Sequence, residues 1–339
     1  MSGVRDRIVS VDFLRTLVIF NALMLHYFPK SRSHLACLDF VMWPVRTIQY
    51  HFFGVGTTFI FISGFMAFTI YFTRFMSDRK TVSKRLFMKG ITIFTLFIVV
   101  VNLLRIVTGS PFPDGFMDFM VKRTFFLNVL LTFSFLFLAA PVFLSIAEIM
   151  ARNRIPLFSM ILVSLLFYHI MDYAKLPEAV RILFVDYNGF RFAFAISLVI
   201  YSVGFWFASV FTRFRDSMLA VTIGLVILSS YTLDYGSYVE MGYAARTIRE
   251  LVLLACMMTV LHFMLDSIKT LDLRGFMGDK ILALGKSSLL TYVFGNSAIS
   301  LLRYRETYSC ATQFISLLTI FAITYIAAAH YNKGRDITS

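Results

Sequence analysis

Residues 91–104 read ITIFTLFIVVVNLL, and residues 311–329 form a second run that is apolar on every face of a helix. A helix of this kind is either exposed to lipid or fully buried in protein. About twenty such residues, each rising about 1.5 Å, cross a hydrocarbon core of about 30 Å. Both runs therefore predict transmembrane helices.

The composition of the whole chain agrees with this interpretation. Of its 339 residues, 58% are hydrophobic and only 15% are charged. Soluble domains carry about 25% charged residues, so this chain has too few charges to cover a water-facing surface. The composition excludes a soluble fold and favours an integral membrane protein.

The net charge of +13 is typical of a membrane protein whose cytoplasmic loops collect Lys and Arg. Nucleic-acid binding is not expected, because no basic stripe is combined with a soluble fold. No metal site is predicted either, because the histidines do not stand at ligand spacing with acidic neighbours.

Apolar runs between charged or Pro- and Gly-containing breaks predict an all-α, polytopic membrane protein of about ten transmembrane helices. The predicted helices are 9–28, 49–73, 86–107, 123–148, 156–172, 190–211, 217–233, 245–266, 281–301 and 310–331. No gap is long enough for a separate soluble domain, so residues 1–339 are interpreted as one transmembrane domain. Alternate connections hold most of the Lys and Arg, which predicts that both termini are cytoplasmic.

The first predicted helix carries three ionisable residues, Asp12, Arg15 and His26. Arg15 and His26 share one helix face about 16 Å apart, and Asp12 is close enough to pair with Arg15. Ionisable groups within a membrane span are costly and normally face a polar cavity or one another. The pattern predicts a polar path along this helix; an interfacial ion pair with a helix-end histidine is the alternative.

These residues carry a resemblance to the membrane-bound acyltransferase 3 family. Arg7, Asp12 and Arg15, followed by His26 after ten intervening residues, match the pattern with which that family typically opens. Further elements are the aromatic run ending in Ser63-Gly64, the basic pair Lys84-Arg85 followed by Lys89, and the late stretch 284–292 with Tyr292. The sequence FIFISG at residues 59–64 also resembles the heparan-glucosaminide acetyltransferase and glucan succinyltransferase groups of the same superfamily.

The resemblance implies a membrane O-acyltransferase of the plasma (inner) membrane. It implies transfer of an acyl group, with acetyl favoured, from cytoplasmic acyl-CoA to a hydroxyl of an extracytoplasmic glycan. His26 is then expected to be the general base or the acyl acceptor, with Asp12 and Arg15 as its catalytic companions. Acyl-CoA is expected to lie against the basic cytoplasmic face at the start of the third predicted helix and against Ser63. The cations of this face are Arg79, Lys80, Lys84, Arg85 and Lys89.

Two of these assignments have structural alternatives. The basic cluster also fits the ordinary excess of cations in a cytoplasmic loop, and Ser63-Gly64 also fits close helix packing by small residues. For the whole chain, the alternative function is a transporter or flippase for an anionic or lipid-linked solute. Transporters often have helices interrupted by Gly or Pro in matching halves, a pattern that is not evident in this sequence.

Overall fold

The computed structural model describes residues 9–27, 55–112, 128–177, 180–181, 184–185, 193–211, 251–261, 287–301 and 310–338, and no strand occurs among them. The helices are α1 (Val9–Tyr27), α2 (Val55–Met66, continued to Ser77), α3 (Arg79–Thr108), α4 (Asn128–Arg152), α5 (Ser159–Tyr173), α6 (Phe194–Phe211), α7 (Leu251–Leu261), α8 (Ser288–Leu301) and α9 (Cys310–Thr338). Within α2, the α-helix Val55–Met66 continues through a π-helical segment, Ala67–Phe72, into a last α-helical stretch, Thr73–Ser77.

Five of the described helices are long and apolar enough to cross a membrane, which indicates a multi-pass membrane protein. They are α2, α3, α4, α6 and the stretch Phe314–Tyr331 of α9. The all-α prediction is confirmed for the described residues. The count of ten spans and the cytoplasmic position of both termini stay predictions, and the predicted helix 217–233 lies outside the described residues.

The start of α3 differs from the sequence prediction, which placed it at residue 86. The helix begins at Arg79 because the side chain of Asp78 accepts a hydrogen bond from the backbone N–H of Thr81, at 3.1 Å. Such a cap satisfies a backbone donor that the first helical turn leaves without a partner. Hydropathy misses this polar turn because it marks only the part of a helix that suits hydrocarbon.

The cap should make the start of α3 sensitive to acid. Hydrogen bonding to Thr81 lowers the pKa of the exposed Asp78 carboxyl. Its stabilising effect is therefore complete above the unfolded-state pKa and is lost as the pH falls through the lower, folded-state pKa. We expect the hydrogen-exchange protection factor of the Thr81 amide to fall as the pH drops below about 4. Asp78→Asn is the control, because it keeps an acceptor oxygen and should remove the pH dependence.

Contacts group the chain into two compact units, Gly56–Phe214 and the combination of Met1–Val55 with Arg215–Ser339. We call the second of these the terminal unit, because it contains both ends of the chain, and the first the middle unit. The middle unit holds α2–α6, and the terminal unit holds α1, α7, α8 and α9.

In the middle unit, α3 and α4 pack side by side in opposite directions. The Ser134 hydroxyl of α4 donates a hydrogen bond to the backbone oxygen of Gly90 in α3, at 3.0 Å. Eleven residues earlier in α3, Arg79 donates to the Ser145 hydroxyl of α4, at 2.9 Å. The buried side of α3 is a single helical stripe. Its members are Val82, Leu86, Gly90, Ile93, Phe97, Val101, Leu104 and Arg105.

A close helix crossing in the middle unit joins α2 to α6 through two glycines. A Cβ atom at Gly64 would overlap the backbone carbonyl of Tyr201, and one at Gly204 would overlap the backbone carbonyl of Phe61. The two backbones touch at this crossing because neither glycine has a side chain. Membrane helices commonly use small residues in this way, so Gly64 has the packing role that the sequence left as an alternative.

Aromatic rings fill the space around this crossing. The Phe61 and Phe207 ring centroids are 5.6 Å apart, and those of Phe143 and Phe205 are 5.2 Å apart. Ring pairs of this kind add about 0.5–1.5 kcal/mol beyond the area that they bury. The rings help to fix the position of α2, and therefore that of Ser63, against α6.

In the terminal unit, α1 packs against α8, and α8 packs against α9. The Leu23 side chain of α1 lies against Gly295 of α8, where a Cβ atom would overlap it. Phe20 of α1 stacks on Phe321 of α9, with ring centroids 4.8 Å apart. These contacts place the last turn of α1 directly beside α8.

Candidate functional site

The candidate catalytic histidine lies at the C-terminal end of α1, beside α8. His26 is half-buried, and its Nδ1 atom is 2.5 Å from Oδ1 of Asn296. Asn296 is completely buried within α8. A hydrogen bond between a half-buried imidazole and a buried amide holds the ring in one orientation.

The second hydrogen bond of Asn296 determines which ring nitrogen of His26 carries the proton. The amide Nδ2 of Asn296 donates to the backbone oxygen of Tyr292, at 2.9 Å. The opposite amide orientation would bring two oxygen atoms together, so Oδ1 is the atom that faces the ring. Because Oδ1 can only accept, Nδ1 of His26 must donate. In the neutral imidazole, the lone pair is then on Nε2.

Two neighbours of Asn296 shape this contact. The side chain of Leu23 occupies the space in which a side chain at residue 295 would lie, so Gly295 lets α1 and α8 approach closely. The Tyr292 ring meets the His26 ring edge-on, with centroids 6.4 Å apart and planes inclined at 75°. Asn296 and Tyr292 are one helical turn apart and therefore present both groups to His26 from the same side of α8.

Asp12 and Arg15 lie in the first turns of α1 and form an ion pair. Arg15 Nη1 is 3.6 Å from Asp12 Oδ1, and Asp12 is buried. The Thr16 hydroxyl donates to the backbone oxygen of Asp12, at 3.0 Å. The pairing that the i, i+3 spacing predicted is confirmed, and it reduces the cost of placing a carboxylate in an apolar helix.

A single continuous helix, α1, connects this ion pair to His26. Arg15 and His26 therefore lie on one face about 16 Å apart, as the spacing predicted. Asn21 lies between them, fully buried, and neither polar atom of its side chain has a hydrogen-bond partner. It is about 120° around the helix from Arg15, so it does not belong to the face shared by Arg15 and His26.

The five predicted donor-binding cations do not all lie on the same side of α3. Arg79 contacts α4 through Ser145 and lies 5.7 Å from the centre of the Phe75 ring. Lys89 also reaches α4, with Nζ 4.5 Å from the centre of the Phe137 ring. Arg85 is exposed one turn before Lys89, on the same flank of the helix, whereas Lys84 is exposed on the side opposite the buried stripe.

The remaining candidate, Ser63, is half-buried in α2, next to Gly64 at the crossing with α6. Ser63 and the five cations belong to the middle unit, and Asp12, Arg15 and His26 belong to the terminal unit. Within each unit the candidates occupy defined helix faces. Their roles in binding and catalysis stay predictions.

A scan against models of known protein families found no match, and neither did searches of curated proteins and of solved structures.

The sequence pattern assigned no role to Asn296, which the structure brings to His26. The available signal was a carboxamide in an apolar helix, a placement that needs a hydrogen-bond partner within the protein.

Proposed function

We propose that this chain is a membrane O-acyltransferase of the acyltransferase 3 type, which moves an acyl group from acyl-CoA to a hydroxyl of an extracytoplasmic glycan. The observation that carries this proposal is the pair of hydrogen bonds made by Asn296. They favour the neutral tautomer of His26 that has its proton on Nδ1 and its lone pair on Nε2. A nitrogen of this kind is the group that acyl transfer to a hydroxyl requires.

As a general base, Nε2 of His26 takes the proton of the acceptor hydroxyl. The hydroxyl oxygen forms a bond to the acyl carbon, the carbon–sulfur bond of the thioester breaks, and the proton passes to the departing thiolate of CoA. As an acyl acceptor, Nε2 bonds to the acyl carbon while the carbon–sulfur bond breaks and CoA leaves as the thiolate. The acceptor hydroxyl then bonds to the acyl carbon, the bond between that carbon and Nε2 breaks, and the hydroxyl proton passes to the CoA thiolate. Both routes yield an ester and free CoA, and both need the lone pair on Nε2.

The anionic end of acyl-CoA would bind to the cations along the first part of α3. Arg79, Arg85 and Lys89 lie toward α4 or on the adjoining flank, which makes them better candidates for one bound phosphate group than the outward-facing Lys84. Ser63 is retained as a candidate contact to the thioester. The Asp12–Arg15 pair would maintain a polar start to α1.

The cellular setting belongs to the same proposal. The chain would have ten transmembrane helices in the plasma (inner) membrane, with both termini and the donor in the cytoplasm. Acetyl is the favoured acyl group, because the resembled family includes acetyltransferases.

Binding of the donor tests this proposal before an acceptor is identified. We expect purified full-length chain in detergent micelles to bind acetyl-CoA. The double variant Arg85→Gln/Lys89→Gln should weaken that binding about tenfold or more, since each of its two substitutions removes one charge-assisted contact to phosphate. Lys175→Gln/Arg181→Gln removes two exposed cations elsewhere in the middle unit and is the matched control.

If the wild type binds no acyl-CoA, of acetyl, succinyl or longer chain, the donor assignment fails. Ligand-dependent transport by the same protein in proteoliposomes would then support the transporter instead. Equal losses in the variant and its control would also contradict the assignment to Arg85 and Lys89.

A further inference from the structure

The third helix is longer than a bilayer is thick. With 30 residues, α3 is about 45 Å long, whereas the hydrocarbon core measures about 30 Å. Its first eleven residues, 79–89, contain all the cations of the helix except Arg105. This basic first part of α3 therefore suits the headgroup layer, and the apolar remainder suits hydrocarbon.

The face of α3 that points away from α4 is a lipid-facing surface. Val99, Leu103 and Ile106 lie on this face and are 49%, 54% and 65% exposed. Met88 and Ile91, 51% and 39% exposed, continue it toward the basic part. Lys84 stands one turn before Met88 and Lys80 one turn before Lys84, so two lysines stand at the end of the lipid-facing surface.

The charges around these lysines are predominantly positive. Residues 73–89 and 141–158 contain eight cations and two acids, a net charge of +6. Both acids are already engaged, because Asp78 caps α3 and Glu148 forms a 2.6 Å ion pair with Arg152. This end of the middle unit therefore presents a cationic surface beside exposed apolar side chains.

We propose that Lys80 and Lys84 bind the phosphate of an anionic phospholipid. A lysine at the end of a lipid-facing surface extends its ammonium toward the headgroups while its methylene chain covers apolar surface. A cluster of cations directly next to a transmembrane helix attracts anionic lipid. A soluble nucleotide is a poorer partner for these two residues, because the face that they share continues into lipid.

This surface is separate from the proposed donor site. Lys89 reaches α4 and Arg85 stands one turn before it, whereas Lys80 and Lys84 stand on a different flank of α3, about 100–180° around the helix from that pair. The two pairs carry the same charge on the same helix. Neutralising one pair and then the other therefore separates lipid binding from donor binding.

The test is a titration of purified full-length chain with phosphatidylglycerol and, separately, with phosphatidylcholine, followed by native mass spectrometry. We expect the wild type to bind phosphatidylglycerol more tightly. Lys80→Gln/Lys84→Gln should weaken phosphatidylglycerol binding about tenfold to thirtyfold, since each surface cation contributes about fivefold. Lys175→Gln/Arg181→Gln should leave phosphatidylglycerol binding unchanged, and Lys80→Arg/Lys84→Arg should preserve it.

The proposal is overturned if Lys80→Gln/Lys84→Gln binds phosphatidylglycerol as tightly as the wild type does. It is also overturned if the Lys175/Arg181 control loses as much affinity. A third contrary result is loss of acetyl-CoA binding with phosphatidylglycerol binding intact, because these lysines would then hold nucleotide rather than lipid. If the wild type binds lipid but no acyl-CoA, the lipid surface stands while the proposed function fails.

Discussion

We expect His26→Ala to lower the rate of the proposed acyl transfer by about 10²- to 10⁴-fold, the contribution of a positioned acid–base group. The loss should appear in kcat, while binding of acetyl-CoA is retained, because His26 lies on α1 and the proposed donor cations lie on α3. The measurement is release of the CoA thiol by equal amounts of folded wild type and variant. His26→Gln, whose side-chain amide can still donate a hydrogen bond but has no titrating nitrogen, should lose as much activity.

Asn296 should act on the same reaction through His26. Asn296→Ala removes the acceptor for Nδ1–H, so the tautomer with the lone pair on Nε2 is no longer favoured, and we expect kcat to fall about tenfold. Asn296→Asp also accepts the Nδ1 proton and should retain more activity than the alanine variant. Its carboxylate favours the imidazolium form, so the acid limb of the pH–rate profile should move to higher pH.

Two outcomes would contradict this account of the site. Full activity in His26→Ala would remove His26 from the mechanism. An unchanged kcat in Asn296→Ala together with an unchanged pH–rate profile in Asn296→Asp would mean that the hydrogen bond between Nδ1 and Oδ1 only holds the two helices together.

Gly64→Ala and Gly204→Ala should each destabilise the protein strongly. The added methyl group overlaps a backbone carbonyl of the facing helix, which cannot rotate away as a side chain can. The α2 and α6 backbones must therefore separate, and we expect a loss of about 3 kcal/mol or more in the free energy of unfolding. The measurement is unfolding of purified protein in mixed micelles of increasing sodium dodecyl sulfate content, followed by circular dichroism.

Gly295→Ala is the comparison for these two variants. Its methyl group overlaps only the Leu23 side chain, which can change rotamer, so a smaller loss in the free energy of unfolding is expected. Equal stability of Gly64→Ala and wild type would show that α2 and α6 are not in backbone contact at this crossing.

The apolar runs predicted the fold class because one physical requirement governs it. A helix in hydrocarbon must satisfy its backbone internally and present apolar side chains to lipid, and residues 91–104 meet both needs without tertiary information. The start of α3 was misplaced because a polar cap, Asp78, and a basic first turn fix it. Those features depend on local hydrogen bonding and not on hydropathy.

The site was predictable only where its residues share one helix. The i, i+3 spacing predicted the pairing of Asp12 and Arg15, because helix geometry alone brings them together. His26 and Asn296 are 270 positions apart, and their contact depends on Gly295 allowing α1 and α8 to approach. No periodicity within either helix contains that information.

The side of α3 on which each cation lies could not be predicted from the sequence either. The sequence placed Arg79, Lys80, Lys84, Arg85 and Lys89 at the cytoplasmic start of the third predicted helix and treated them as one surface. Their division into sides requires knowing which stripe of α3 packs on α4, and Ser145 and Phe137 of α4 identify that stripe.

The most direct measurement is transfer of radiolabel from acetyl-CoA to cell-envelope glycan in membrane vesicles, with wild type and His26→Ala at equal folded amounts. Incorporation by the wild type that collapses in the variant is the result that this account predicts. Incorporation that is equal in both, or that is absent from wild type already shown to bind acetyl-CoA, would contradict it.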